Sequence, residues 1–272
     1  LLKTSTSWSS ETSGGRLLAS DEPVSFEIQG HDGQSRFLIT CDHAGHLLPR
    51  SLGDLGLSDA DLDRHIAWDI GAGVVARQLG AALDAMVITQ RYSRLVIDCN
   101  RQLDAVDSIA TTSERTEIPG NRGIGPAAAA LRAQEIFHPY HDQIARALDR
   151  REAAGISTIL IAVHSFTPRY LDVARQWHAG VLYIRDGRHA EPLLRLLRAE
   201  PGLVIGCNEP YRADPLTDYS IVEHAERRGL PYVELEIRQD LIAEPAGQAE
   251  WVARLARLLP LAAASAATPP SS

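Results

Sequence analysis

The sequence predicts an α/β protein of three layers, α/β/α, built on a mixed, mainly parallel central sheet. Two observations carry that prediction. Short, continuous, β-branched runs alternate with longer stretches of helical periodicity, and most of those runs lead into polar residues capable of chemistry. Buried parallel strands read as unbroken apolar runs, and open α/β sheets bind ligands at the carboxyl ends of their strands.

Taken in order, Phe37-Leu-Ile-Thr-Cys41 is the first run and leads into Asp42-His43. Helical periodicity follows over Ser58–Leu83, where Ser58 ahead of Asp59 and Asp61 is a start signal. Arg94-Leu-Val-Ile97 reads as the next strand and leads into Asp98-Cys-Asn100-Arg101. Gln102–Gly125 is the longest irregular connection, and its segment Gly120–Gly125 is expected to form a mobile loop over a site. A long helix over Pro126–Glu152 must kink or restart at Pro139. Thr158–Val163 forms a strand leading into His164-Ser165; a helix over His189–Glu200 precedes a strand at Leu203–Ile205. Thr217-Asp218 opens a helix to Arg228, Tyr232–Arg238 is a strand carrying its own charges, and Gly247–Leu259 is the last helix. The polar opening through Glu22 and the tail Ala262–Ser272 offer little to bury and are expected to be disordered. Residues 23–261 then form one domain.

The 272 residues are 44% apolar and 23% charged, an ordinary globular composition able to bury a core without disulfides. A net charge of −8 and the lack of a Lys/Arg stripe exclude nucleic acid as an expected partner. No apolar run approaches the roughly 20 residues that span a bilayer, so no membrane association is expected. Cys41, Cys99 and Cys207 show no C-x-x-C spacing, which argues against a disulfide framework and against a thiolate zinc site. Together with an opening that lacks an apolar signal core, this predicts a cytoplasmic protein. There is no Walker A loop, no H-E-x-x-H and no G-x-S-x-G elbow.

His43 and His164 each fall immediately after a predicted strand, where imidazoles from neighbouring strands can meet. Each alone could simply cap its strand by a hydrogen bond; together they are the first two ligands of a candidate metal site. A catalytic zinc ion commonly takes two His and one carboxylate, leaving a position for the water it acidifies. Asp42, His46 and Asp69 are all suitable third ligands, and spacing does not choose among them. On Tyr232–Arg238, Glu234, Glu236 and Arg238 share one face. They read either as a solvent-exposed edge strand with Glu236 paired to Arg238, or as a site in which Glu236 is a general base. Arg94, Asn100 and Arg101 cluster near one strand end and suit capture of a substrate carboxylate, or a structural pairing of Asp98 with an arginine. His138 and His141 flank Pro139-Tyr140 and read as structural, while His31, His65, His178, His189 and His224 carry no assigned chemistry.

With these residues in view, the chain resembles the N-formylglutamate amidohydrolase family from about Phe37 to Leu259. The resemblance rests on Cys41-Asp-His-Ala-Gly45, His65-Ile-Ala-Trp-Asp-Ile-Gly71, Tyr92-Ser-Arg-Leu-Val-Ile-Asp-Cys-Asn-Arg101 and Pro139-Tyr-His141, then on His164-Ser-Phe-Thr-Pro168, Asn208-Glu-Pro-Tyr211 and Glu236-Ile-Arg-Gln-Asp240. It implies the zinc carboxypeptidase and aspartoacylase-like architecture. It also implies one zinc ion on His43, Asp69 and His164, with Asp69 favoured over His46. By the same resemblance Glu236 is the general base, Arg94 the oxyanion-stabilising arginine, and Asn100 with Arg101 the grip on a small substrate's carboxylate. The implied activity is hydrolysis of the amide bond of a small N-acyl amino acid, N-formyl-L-glutamate first. The alternatives are an amidase acting on a larger peptide or peptidoglycan substrate, and a non-catalytic carboxylate- or metal-binding protein of the same fold.

Overall fold

The computed structural model describes residues 15–31 and 33–266. The chain enters through β1 (Phe26–Gln29) and β2 (Phe37–Cys41), passes a short helix α1 (Asp59–Leu62) and reaches α2 (Ala72–Leu83) and β3 (Met86–Gln90). A small hairpin, β4 (Thr112–Ser113) and β5 (Thr116–Glu117), precedes α3 (Pro126–Arg132), a π-helical turn at Ala133–Phe137 and α4 (His138–Ala153). Then come β6 (Ile159–Phe166), a second hairpin of β7 (Arg169–Tyr170) and β8 (Val173–Ala174), β9 (Ala179–Leu182), α5 (Ala190–Arg198) and β10 (Ile205–Cys207). The last elements are α6 (Tyr219–His224), β11 (Tyr232–Arg238) and α7 (Pro245–Ala266).

Seven strands form one sheet in the order β1-β3-β2-β6-β11-β9-β10. β3, β2, β6 and β11 run parallel, β1 and β9 pair antiparallel with β3 and β11, and β10 is parallel to β9. The sheet is therefore mixed and mostly parallel, with helices on both faces, as the sequence predicts. Ile39, Val163 and Leu235 point to the face covered by α2, α5 and α7, where Leu79, Leu193 and Leu255 pack. Leu38, Leu160 and Tyr232 point the other way, onto Tyr140, Ile144 and Ile221 of α4 and α6. This alternation along single strands is the period-two signature of a sheet buried on both sides.

Several elements depart from the sequence reading. Arg94–Ile97 is a turn, not a strand, and the sheet takes Met86–Gln90 instead. The reason is local: the Gln90 side-chain carbonyl accepts the N–H groups of Arg91 and Tyr92, and the Ser93 hydroxyl accepts from Leu95. Side-chain capture of backbone donors turns the chain out of the sheet. The expected helix over Ser58–Leu83 is broken between Leu62 and Ala72. Gly71 sits there at φ +81°, and a Cβ on it would lie 2.2 Å from the carbonyl oxygen of Ile242, so only glycine fits. The helix around Pro139 restarts at His138 after the π-helical turn, which removes the need for the proline's missing N–H.

Of the opening segment, residues 1–14 lie outside the described residues. From Gly15 the chain is packed: Leu17 and Leu18 are buried, and their N–H groups donate to the Glu135 carboxylate at 2.8 and 2.9 Å. At the other end α7 continues to Ala266 with Ala262 and Ala263 in the core, so only 267–272 of the expected tail lies outside the described residues. The segment Gly120–Gly125 does not cover a site. Gly120 abuts Leu55, and Asn121 is buried with its amide donating to the carbonyls of Leu95 and Ala110.

Away from the sheet ends, Glu226 ties three segments together. Its carboxylate accepts from the Tyr232 hydroxyl at 2.6 Å, the N–H groups of Arg185 and Asp186, and the Arg185 guanidinium. Burial acts to raise its pKa, but these bonds outweigh it and hold the carboxyl at about 2, below the ordinary 4.5. A carboxyl with a depressed folded pKa stabilises the fold above its unfolded pKa and loses that contribution as pH falls through the folded one. Glu226→Gln is expected to cost about 2 kcal/mol at pH 7. The gap between wild type and variant should close between about pH 4.5 and pH 2 in urea denaturation. A gap that persists at pH 2 contradicts this account.

Candidate functional site

β2 and β6 lie side by side at the centre of the sheet, and β11 pairs with the far side of β6. Their carboxyl ends bring His43, His164 and Glu236 to one place, with Glu236 directly opposite His164 in the register. β11 is thus a central strand, not the solvent-exposed edge that its three charges also allowed. Asp69 arrives from the broken helix: its N–H donates to the His43 carbonyl at 2.9 Å, and the following Ile70 carbonyl accepts the Ser165 hydroxyl. It does not open α2 but stands just ahead of it, with its carbonyl accepting from Ala72.

Three ligand atoms converge. Asp69 Oδ2 lies 3.0 Å from His164 Nδ1 and 3.4 Å from His43 Nδ1, and the two imidazole rings are 5.0 Å apart. All three residues are buried, and their ligand atoms lie within 4.8 Å of one another. The other ring nitrogen of each histidine meets a carboxylate: His43 Nε2 lies 2.7 Å from Asp98, and His164 Nε2 lies 3.3 Å from Asp42. Asp42 in turn accepts from the Tyr140 hydroxyl at 2.6 Å. This carboxylate–imidazole arrangement fixes ring orientation and leaves Nδ1 of both histidines facing Asp69. His43 Nδ1 is a buried polar atom with no hydrogen-bond partner. The donor set of two imidazole nitrogens and one carboxylate oxygen suits zinc. Around it the buried carboxyls of Asp42, Asp69, Asp98 and Glu236 crowd together, with Arg94 the guanidinium that reaches Asp69 and Asp98, and a divalent ion would offset the remaining negative charge.

The competing third ligands sort themselves. His46 is exposed and packs at a tilt against Trp68, ring centroids 4.8 Å apart, while Asp42 supports His164 from behind. Asp98, which the sequence allowed as the partner of an arginine, pairs with both Nε and Nη2 of Arg94 at 3.0 and 2.7 Å. It also accepts from the Asn100 N–H.

These contacts set the protonation pattern. Burial opposes ionising Asp42, yet the His164 hydrogen bond holds it at about 2. Burial also disfavours charge on His164, but Asp42 and Asp69 raise its pKa well above 6.5. Asp98 stays well below the ordinary carboxyl range because Arg94 and His43 overcome its burial. Glu236 moves the other way: burial, with Asp69 nearby, pushes it up to about 7. Glu234, two residues earlier on the same face, is raised further by burial and by Asp218. Carboxyls held at opposite ends of the scale are the pattern of a site that keeps one group ionised and another able to exchange a proton. Burial raises the Cys41 and Cys99 thiols, so neither offers a thiolate.

A cavity of about 580 Å³ opens over this cluster, lined by Arg94, Asn100, Arg101 and Glu236 among others. Asn100 Oδ1 accepts from the Ser220 N–H, and Arg101 donates to the carbonyls of Asn100 and Thr217 and to the Asp107 carboxylate. The mouth is bordered by the two hairpins. Their tips meet through an Arg115–Asp172 ion pair and a bond from the Leu171 N–H to Glu114. Arg212 and Glu114 in this wall carry no signal in the sequence, and His65 and Tyr211 stand out there only as members of the quoted motifs, without an assigned role. His224, to which the sequence assigns no chemistry, is buried with its Nε2 2.9 Å from Nδ1 of His141. The short Tyr211-Arg212 segment carries no periodic pattern that marks it as wall.

Among the described residues no helix is long and apolar enough to cross a membrane. A solved structure of the gene product Atu2144 from Agrobacterium tumefaciens is similar at 34% identity and TM-score 0.89, covering 92% of this chain and 99% of that one. The N-formylglutamate amidohydrolase of Ralstonia eutropha JMP134 shares the fold at 18% identity and TM-score 0.62, over 89% of this chain and 98% of that one. An N-formylglutamate deformylase of Pseudomonas putida is 32% identical over 171 residues, which span 56% of this chain and 59% of that relative's length. The family profile described as N-formylglutamate amidohydrolase matches residues 35–243, from the start of β2 to just past β11, and on that match the chain belongs to the N-formylglutamate amidohydrolase family.

Proposed function

We propose that the protein hydrolyses the amide bond of a small N-acyl amino acid, with N-formyl-L-glutamate the first candidate and formate and glutamate the products. The observation that carries the reading is the convergence of His43 Nδ1, His164 Nδ1 and Asp69 Oδ2 beside the buried carboxyl of Glu236. His43, Asp69 and His164 would hold one zinc ion, which would supply Lewis acidity toward the amide carbonyl and toward water.

The chain's own groups do the rest. Glu236 takes the proton of the attacking water and delivers it to the leaving amine nitrogen as the C–N bond breaks and the new C–O bond forms. Arg94, held by two bonds to Asp98, presents its remaining N–H groups to the oxyanion. Asn100 and Arg101 bind the amino-acid carboxylate, Arg101 exchanging its hold on Thr217 and Asp107 for the substrate. Fixing that carboxylate turns binding energy into orientation of the amide.

The test is formate release from N-formyl-L-glutamate by purified protein, before and after chelation. Turnover that chelation abolishes and zinc restores is the expected result. No turnover of any N-formyl or N-acetyl amino acid by zinc-replete protein overturns the proposal.

A further inference from the structure

The loop that carries Asp98, Asn100 and Arg101 is held from behind by two buried histidines that take no part in the proposed chemistry. His141 of α4 and His224 at the end of α6 meet with Nδ1 of the first 2.9 Å from Nε2 of the second. His141 Nε2 lies 2.9 Å from the Cys99 carbonyl oxygen. Burial lowers the pKa of His141 to about 4 and that of His224 to about 3, so both rings are neutral at pH 7.

The tautomers follow from the partners. A carbonyl oxygen only accepts, so the His141 proton sits on Nε2 and its Nδ1 is a lone pair. The contact between the rings then requires the His224 proton on Nε2. That leaves His224 Nδ1 bare, and it is buried without a hydrogen-bond partner. An orphaned acceptor of this kind calls for a reason. Here it accompanies a donor that keeps His141 in the tautomer the carbonyl needs. Phe137 and Tyr219 pack against the His141 ring at centroid distances of 4.3 and 4.7 Å and restrain it from turning.

The bond acts on more than one carbonyl. Cys99 C=O and Asn100 N–H belong to one rigid peptide plane. The Asn100 N–H, on the far edge of that plane, donates to Asp98 Oδ1 at 2.8 Å, the oxygen that His43 Nε2 meets at 2.7 Å. α6 grips Asn100 as well: the Oδ1 accepts from the Ser220 N–H at 3.0 Å, and the carbonyl accepts from the Tyr219 N–H at 3.4 Å. We infer that His141, with its tautomer set by His224, is a positioning residue that fixes the Cys99–Asn100 peptide and thereby aims Asn100 and Arg101 at the substrate's carboxylate. The inference rests on the hydrolase reading, in which those two residues take that carboxylate.

His141→Leu removes the donor, and His141→Gln returns an amide N–H near the place of Nε2–H. Asp98 keeps its two Arg94 bonds in either variant, so the effect belongs in binding. His141→Leu should raise KM for N-formyl-L-glutamate about 10-fold, with kcat within about 3-fold of wild type and zinc content unchanged. His141→Gln should recover most of the loss, and His224→Leu should move KM the same way by less. A purely structural role lowers the melting temperature and leaves KM alone. That result, or a folded His141→Gln that does not recover KM, overturns the inference. Long-range proton–nitrogen NMR spectra of the zinc-loaded wild-type protein, labelled at histidine, read the tautomers without turnover. Both protons on Nε2 are expected, and His141 protonated on Nδ1 overturns the inference. Calorimetric binding of N-formyl-L-glutamate separates the two readings. If the ligand is bound but not cleaved, the hydrolase reading fails, while affinity that drops in His141→Leu and returns in His141→Gln upholds the positioning role. Binding as tight in His141→Leu as in wild type overturns that role. Wild-type protein that neither binds nor cleaves has no carboxylate grip, which overturns both.

Discussion

His164→Ala is expected to lose bound zinc and turnover together, with kcat/KM for N-formyl-L-glutamate down by about 10³-fold or more. The residue contributes one of three converging ligand atoms and stands between two carboxylates, Asp42 and Asp69. Its removal opens the ligand set and leaves both acids facing each other across the gap, a cost to metal affinity and to the local fold at once. Elemental analysis is the direct measure: about one zinc per chain in wild type and far less in the variant. His43→Ala is the independent check, since its ring is held by Asp98 rather than Asp42. Thermal melts of both variants separate loss of ligand from loss of fold. Zinc retained at the wild-type level in both variants refutes the assigned ligand set.

Glu236→Gln should lower kcat by about 10²- to 10⁴-fold while zinc content stays at the wild-type level. The amide has the shape of the carboxyl and fills the same space at the end of β11, but it cannot accept and return a proton. Burial already holds the Glu236 carboxyl up at about 7, so a neutral amide there relieves a desolvated charge and the folded state loses little. The effect should therefore appear in kcat and not in the melting temperature. A variant that keeps its kcat moves the proton-transfer role to another group, and Glu234 is the next buried carboxyl on the same face.

The strands that position the site are the ones the sequence displays best. β2, β6 and β11 are buried along nearly their whole length, so their unbroken β-branched runs survive as pattern, and His43, His164 and Glu236 are readable at their ends. Arg94–Ile97 has the same apolar content as a strand. What makes it a turn is side-chain capture by Gln90 and Ser93, a competition that composition does not show. Asp69 stands in the sequence as one of three candidate third ligands, and only the family resemblance favours it, because its helix is interrupted to deliver it and the interruption depends on Gly71 meeting Ile242 from far along the chain. The supports behind the histidines, Asp42 and Asp98, were weighed for other tasks. Their role depends on which ring nitrogen faces which carboxylate, a matter of a few ångströms between residues 55 or more positions apart.

The two hairpins at the mouth have a consequence for how such a protein can diversify. Their strands are two residues long and lie outside the main sheet, and their tips carry Glu114, Leu171 and Asp172 at positive φ. The tips touch each other through exposed groups, while every candidate ligand lies on the deep side of the cavity. Exposed ion pairs of this kind contribute about 0–1 kcal/mol. Changes at the tips therefore carry little thermodynamic cost and reshape the entrance without touching the candidate ligands. The shape of the entrance and the stability of the fold therefore rest on separate parts of the chain, so that one can change while the other is held.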